Sequence, residues 1–393
     1  MTISKNVESF ITRSSWIRKM FEEGTRLKSL HGAENVFDFS LGNPNLSPPE
    51  SFDRVLRELV NGGGPGIHGY MPNAGYPDVC RSVAQYLSRE QQIEISGKEI
   101  IMTCGAAGGL NITLKAILDL GDEVITPAPY FVEYGFYAGN HGGVLKPVPT
   151  LADFTLDLDA LSDAINERTK AVLINFPNNP TGQVYTEETL RRLGEVLKGG
   201  GDRFGRTIYL ISDEPYRKIV YDGYVPPSVF SCYDESIVVT SYSKDISIAG
   251  ERIGFAAVSP KATYKDLLLS GMTLANRILG FVSAPALMQR VVGAIQGACV
   301  DVSEYARKRD LFCNGLFDCG YRFVKPLGAF YLFPEAPIKD DVRFVQALQE
   351  ERILVVPGSG FGGPGHFRIA YCVADKTIID ALPGFRRVMK KYR

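Results

Sequence analysis

Ser241-Tyr242-Ser243-Lys244-Asp245-Ile246-Ser247-Ile248-Ala249-Gly250-Glu251-Arg252-Ile253-Gly254 follows directly on an apolar run at 236–240. The β-branched residues of that run predict a buried strand, which puts Lys244 just past a buried strand's end. An ammonium group there is costly unless it is paired, neutralised or used covalently. Desolvation of this kind turns a lysine into a Schiff-base nucleophile. The hydroxyls of Ser241 and Ser243, with Arg252 eight residues beyond the lysine, offer hydrogen bonds and a guanidinium fork to a phosphate. By spacing alone, an ordinary charged surface loop is the competing reading.

The strand before Lys244 is one of a series. From about residue 50 to 260, helical patterns alternate with short β-branched runs at 99–102, 123–126, 171–175, 207–212, 237–240 and 254–258. That rhythm predicts an α/β unit with a largely parallel sheet covered by helices on both faces. Residues 1–31 read as an amphipathic helix and 35–41 as a short strand. Residues 285–319 read as one long helix, leading into strands around 321–324, 329–332 and 367–371, a smaller α+β unit. At 393 residues the chain has room for two or three units of about 150 residues. Its Gly-dense stretches, 61–66 and 358–365, are short loops rather than linkers, so the units are expected to pack closely.

Composition removes several function classes. Forty-three Lys and Arg against 44 Asp and Glu leave a net charge of −1 with no long single-sign run, which argues against a nucleic-acid or anionic-membrane face. Nothing approaches 18 uncharged apolar residues, and the N-terminus lacks the apolar core of a signal peptide. Seven scattered cysteines without a C-x-x-C pair suit neither a disulfide framework nor a zinc ribbon, and predict a cytoplasmic protein. Four histidines, none at helical ligand spacing, predict no histidine metal site.

Other short motifs carry two readings each. Residues 175–182 (N-F-P-N-N-P-T-G) form a Pro/Asn turn after a strand, and Asp213 in D-E-P-Y stands where a helix cap is common. Gly105, Ala106 and Ala107 open a helix after a strand. Small residues there admit either a phosphate at the helix N-terminus or tight helix–strand packing. Phe131 in P-Y-F would by itself be core, and Arg368 in H-F-R-I-A is either a carboxylate fork or half of an ion pair. Gly358-Ser359-Gly360-Phe361-Gly362-Gly363 satisfies G-x-G-x-x-G after an apolar strand. Pro364-Gly365 and a further strand follow instead of a helix, so a dinucleotide-binding reading fails.

The N-P-x-N-P-T-G-like turn, D-x-x-Y and S-x-S-K followed by G-x-R-x-G, in this order along the chain, resemble class I/II pyridoxal phosphate aminotransferases of fold type I. The resemblance implies a large domain, 46–282, with a mostly parallel seven-stranded sheet flanked by helices, and a smaller α+β domain from 1–45 and 283–393. It implies that Lys244 carries pyridoxal 5′-phosphate as a Schiff base and shuttles a proton between the substrate Cα and the cofactor's C4′. Asp213 would face the pyridine nitrogen, with Tyr216 and Asn179 on the phenolic oxygen and Asn179-Pro180 as a cis bond. Gly105, Ala106, Ala107, Ser241, Ser243 and Arg252 would take the phosphate, and Phe131 would stack on the ring.

On the substrate side, Gly42, Asn179 and Arg368 are implied, Arg368 for the α-carboxylate. Tyr70 would reach the phosphate in a neighbouring subunit's site, which implies a homodimer with shared active sites. The activity implied is transfer from an L-amino acid (aspartate, aromatic or alanine-like) to a 2-oxo acid such as 2-oxoglutarate. β- or γ-Elimination on cysteine conjugates is the alternative, and a non-catalytic cofactor-binding regulatory module a remote one. One departure bears on the donor: Ala107 stands where a subgroup of bacterial aspartate aminotransferases has a lysine for the side-chain carboxylate. Arg277, Arg13 and Arg18 are the replacement cations the sequence offers.

Overall fold

A computed structural model describes residues 2–12 and 16–392. Seven strands form its large sheet: β1 (Ile100–Thr103), β2 (Glu123–Ala128), β3 (Val144–Pro149), β4 (Thr169–Asn175), β5 (Tyr209–Asp213), β6 (Ser236–Ser241) and β7 (Gly254–Val258), in the spatial order β1-β7-β6-β5-β4-β2-β3. β6, β5, β4, β2 and β3 are parallel neighbours, while β7 runs against both β6 and β1. Central strands are apolar on both faces because helices cover both. Val172 and Ile174 of β4 join one core cluster and Ala171 and Leu173 the other. Each such Ile, Leu or Val contributes about 1.5–3 kcal/mol by leaving water.

Topology gathers the chemistry at one edge. The carboxyl ends of β1, β2, β4, β5 and β6 point the same way, so the residues after Thr103, Ala128, Asn175, Asp213 and Ser241 meet there. β7 is reversed, so its beginning arrives at that same edge: Gly254 pairs with Ser241 and Thr103, and Arg252 sits just before it. Two glycines make this approach possible. A Cβ on Gly254 would fall 2.3 Å from the Thr240 carbonyl oxygen, and one on Gly105 (φ +69°) 2.9 Å from the Arg252 guanidinium.

A second core packs over this edge. Phe39, Phe312, Phe330, Phe344 and Phe385 lie within it, Phe39 and Phe312 with ring centroids 5.0 Å apart. A parallel pair, Phe37–Asp38 with Ile353–Leu354, and a three-stranded antiparallel sheet of Val356–Pro357, Phe367–Ala370 and Tyr331–Leu332 complete it. Arg368 is carried on the central strand of that sheet.

Several expected elements are corrected. β3 was not among the β-branched runs because Pro147 and Pro149 interrupt it; as an edge strand it tolerates both. The long helix at 285–319 is two, Ala286–Ala294 and Val302–Cys319. They are separated where Gly297 adopts φ +90° and Asp301 caps the second by accepting from Ser303 N. No strand forms at 321–324, where Tyr321 is instead tied down by donating to the Phe385 carbonyl at 3.0 Å. In the N-terminal segment Lys5–Thr12 and Trp16–His31 are helical, 13–15 lying outside the described residues, and of 35–41 only Phe37–Asp38 is strand.

Candidate active site

A cavity of about 310 Å³ opens at the gathered strand ends, and thirteen of the fourteen predicted site residues converge on it or pack directly behind it. Gly42, Ala106, Ala107, Phe131, Asn179, Asp213, Tyr216, Ser241, Ser243, Lys244, Arg252 and Arg368 line it, and Gly105 abuts Arg252. Tyr70 does not: its side chain is 94% exposed on a surface loop. Arg277 is exposed at the end of helix Lys265–Ile278 and is not a lining residue; Arg13 lies outside the described residues, and so does the side chain of Arg18.

Lys244 is half-buried, and its Nζ donates to the Gly42 carbonyl at 2.7 Å. Burial, with the charges of Arg368 and Arg252 acting the same way, lowers its pKa to about 8. Near neutral pH an appreciable fraction is therefore free amine. Gly42 is required in this position, because a Cβ would fall 1.9 Å from the Tyr331 hydroxyl oxygen.

Asp213 ends β5 with its main-chain carbonyl accepting from Asn175 Nδ2 at 2.8 Å. Its Oδ2 accepts from the Tyr134 hydroxyl at 2.5 Å, whereas Oδ1 is buried with no partner. Burial lifts this carboxyl from its ordinary 3.8 to about 7, against the opposing effect of the Tyr134 hydrogen bond. A raised carboxyl pKa costs nothing below about pH 3, where both folded and unfolded forms are protonated, and its cost grows up to pH 7. Without cofactor, the wild type is therefore expected to lose about 2–3 kcal/mol relative to Asp213→Asn between pH 5 and 7.5. Denaturant unfolding of both proteins at the two pH values checks this; an unchanged difference would show that Asp213 ionises freely in its pocket.

Arg368 is 2% exposed and pairs with no carboxylate among the described residues. One terminal nitrogen donates to Asn179 Oδ1 at 3.0 Å and the other to the Ser40 carbonyl at 2.5 Å, while Nε is buried without a partner. The rings of Phe361 and Tyr331 lie on it at 4.7 and 4.8 Å. A buried cation held only by neutral groups is suited to an anionic partner. Asn179 accepts through Oδ1 and keeps its Nδ2 donors. Its backbone is held by donation to Asn175 Oδ1 at 2.7 Å, not by the expected cis bond at Asn179-Pro180; the cis bonds are Phe176-Pro177 and Ala128-Pro129.

At the other end, Arg252 sits at φ +52° with one nitrogen donating to the Ala249 carbonyl at 3.0 Å, beside the first turn of helix Gly105–Ile117. With Ser241 and Ser243 it forms a donor set for a phosphate. Sequence reasoning missed Tyr134, Tyr137 and Tyr331, all of which touch or line the site. Tyr134 falls three residues after Phe131, in edge-to-face contact with it at 5.6 Å, and that spacing was the only available signal.

These groups fit pyridoxal phosphate. Oδ1 of Asp213 is an unused buried acceptor for a protonated ring nitrogen, Lys244 is a weakly basic amine for the aldehyde, and the Arg252 end suits a dianion. Residues 34–382 match the family model described as aminotransferase class I and II. The chain belongs to that family and is a pyridoxal phosphate-dependent aminotransferase. It is 34% identical over 380 residues to a probable aspartate/prephenate aminotransferase of Aquifex aeolicus, covering 91% of each chain. In structure it is similar to an amino transferase from Eubacterium rectale (TM-score 0.97, 39% identity, all of both chains). A second neighbour is the aspartate aminotransferase of Thermus thermophilus with maleate (TM-score 0.86, 28% identity, 99% of this chain and 100% of that one). These named relatives lend the elimination alternative no support.

Proposed function

We propose that this aminotransferase takes its amino group from aspartate or an aromatic L-amino acid, with alanine-like donors weaker, and passes it to a 2-oxo acid such as 2-oxoglutarate. The observation that carries the site assignment is Arg368, a buried guanidinium that pairs with no carboxylate among the described residues and lines the same cavity as Lys244. The donor class is supported by the relatives, one named for aspartate and prephenate and another solved with maleate.

When bound, pyridoxal phosphate supplies an electron-withdrawing ring on which an amino group is exchanged between two carbon skeletons. Arg368 grips the α-carboxylate and so fixes which bond at Cα faces Lys244. Lys244, released from the Gly42 carbonyl, takes the Cα proton as general base and returns it as general acid. Asp213 would hold its negative charge beside the ring nitrogen, with Tyr134 orienting it. Asn179 and Tyr216 would donate to the phenolic oxygen, and Phe131 would stack on the ring. Ser241, Ser243, Arg252 and the amides at 105–107 would hold the phosphate.

We also propose a cytoplasmic homodimer, with Tyr70 completing the partner's phosphate site, and a division into 46–282 and 1–45 with 283–393. Unpaired cysteines support the compartment, the exposed Tyr70 the dimer, and the separate aromatic core the division. Steady-state assay with 2-oxoglutarate tests the donor class: kcat/KM for aspartate or for phenylalanine and tyrosine should exceed that for alanine about tenfold or more. Pyruvate and ammonia from a cysteine conjugate, without any 2-oxo acid added, would contradict it.

A further inference from the structure

Tyr331 was read from the sequence only as part of a strand, yet it touches three working parts of the cavity. It is 2% exposed, on the strand beside the one that carries Arg368. Its ring packs on the Arg368 guanidinium, and its hydroxyl lies against the backbone of Gly42, whose carbonyl holds Lys244. That hydroxyl is also 2.8 Å from the hydroxyl of Tyr216, the rings meeting edge-to-face at 5.6 Å.

Proton counting orients this pair. Each phenol has one proton to donate, and each can accept through its oxygen. The only hydrogen-bond partner of either hydroxyl among the described residues is the other. Should Tyr216 donate to Tyr331, the Tyr331 proton would have no protein acceptor among the described residues, and the Tyr216 proton would be lost to the cavity. With Tyr331 donating to Tyr216, both protons have a use, because the Tyr216 proton is then free for an acceptor in the cavity. A hydroxyl whose oxygen already accepts is also a stronger donor.

We propose that Tyr331 is a positioning residue: it donates to the Tyr216 oxygen, and so aims and strengthens the Tyr216 proton toward the phenolic oxygen of pyridoxal phosphate. This rests on the assignment of Tyr216 to that oxygen. A donor at the phenolic oxygen favours the form in which that oxygen bears full charge and shares no internal proton. It thereby lowers the pH at which the visible absorption of the bound cofactor changes, and losing the donor raises that pH.

The test is a spectrophotometric pH titration of cofactor-loaded wild type, Tyr331→Phe, Tyr216→Phe and the double variant. Phenylalanine at 331 keeps the ring on Arg368 and beside Gly42 and removes only the hydroxyl. Tyr216→Phe should raise the midpoint by roughly one to two pH units and Tyr331→Phe by about 0.3–0.7. The double variant should match Tyr216→Phe alone, since Tyr331 acts through Tyr216. A shift for Tyr216→Phe with none for Tyr331→Phe overturns the relay and leaves the Tyr216 assignment standing. A double variant that shifts further than Tyr216→Phe means Tyr331 acts on the cofactor by another route, which also overturns it. If Tyr216→Phe does not move the midpoint, the assignment of Tyr216 fails, and the relay with it.

Discussion

Replacing Lys244 with alanine is expected to lower kcat on the order of 10⁴-fold while the protein remains folded and still takes up pyridoxal phosphate. The size of the effect follows from losing two functions at once, the covalent anchor and the base that moves the Cα proton. The lysine is suited to the second because burial has already brought its pKa down to about 8, close to the working pH of a proton shuttle. Folding should not suffer. Its one hydrogen bond is to the Gly42 carbonyl, and removing a partly desolvated ammonium relieves a desolvation cost. Phosphate and ring contacts are made by other residues, so cofactor should be retained more weakly, by equilibrium rather than by a bond. Added methylamine restoring part of the rate would separate lost chemistry from misplaced cofactor.

The second large effect is at Arg368. Leucine there should reduce kcat/KM for every α-amino acid donor by about 10²–10³-fold, the consequence of leaving a carboxylate without its buried partner. Lysine should recover only part of this, since a point charge cannot replace a two-pronged fork between Phe361 and Tyr331. Unfolding of the substrate-free protein should move in the opposite sense. Arg368 is buried with an unpartnered Nε and pairs with no carboxylate among the described residues, so Arg368→Leu should be as stable as wild type or more so. Kinetics and denaturation of the same three proteins check both halves. A leucine variant that binds substrate normally would remove Arg368 from the carboxylate site.

What the sequence revealed and what it hid follow one physical division. Lys244, Ser241, Ser243 and Arg252 were legible because they share one turn, where spacing along the chain is spacing in space. Asp213, Asn179 and the 105–107 turn were each ambiguous alone and were assigned by the family resemblance; they lie at or just past strand ends, and parallel strands deliver their ends to one edge. Tyr134 and Tyr331 were hidden because their roles exist only across the fold: Tyr134 meets Asp213 from 79 residues away, and Tyr331 meets Tyr216 from 115. In the sequence each is one more aromatic in an apolar stretch. The edge strand with Pro147 and Pro149 escaped for a different reason, since local preference argued against what sheet position allows. Likewise, a helical pattern ran on through Gly297, where the backbone turns left-handed and the helix has already ended.

Lys244 as the group that moves the proton is the central claim, and a single-turnover experiment tests it most directly. Cofactor-loaded wild type and Lys244→Ala are each mixed with an excess of aspartate or tyrosine, with no 2-oxo acid present, and the visible absorption of the bound cofactor is followed alongside release of 2-oxo acid. The wild type should convert its cofactor rapidly to the amine form with one equivalent of 2-oxo acid per site, then stop. Lys244→Ala should bind the same donor yet convert on the order of 10⁴-fold more slowly. Equal conversion rates in the two proteins would contradict the claim, because the proton would then be moved by some other group in the cavity.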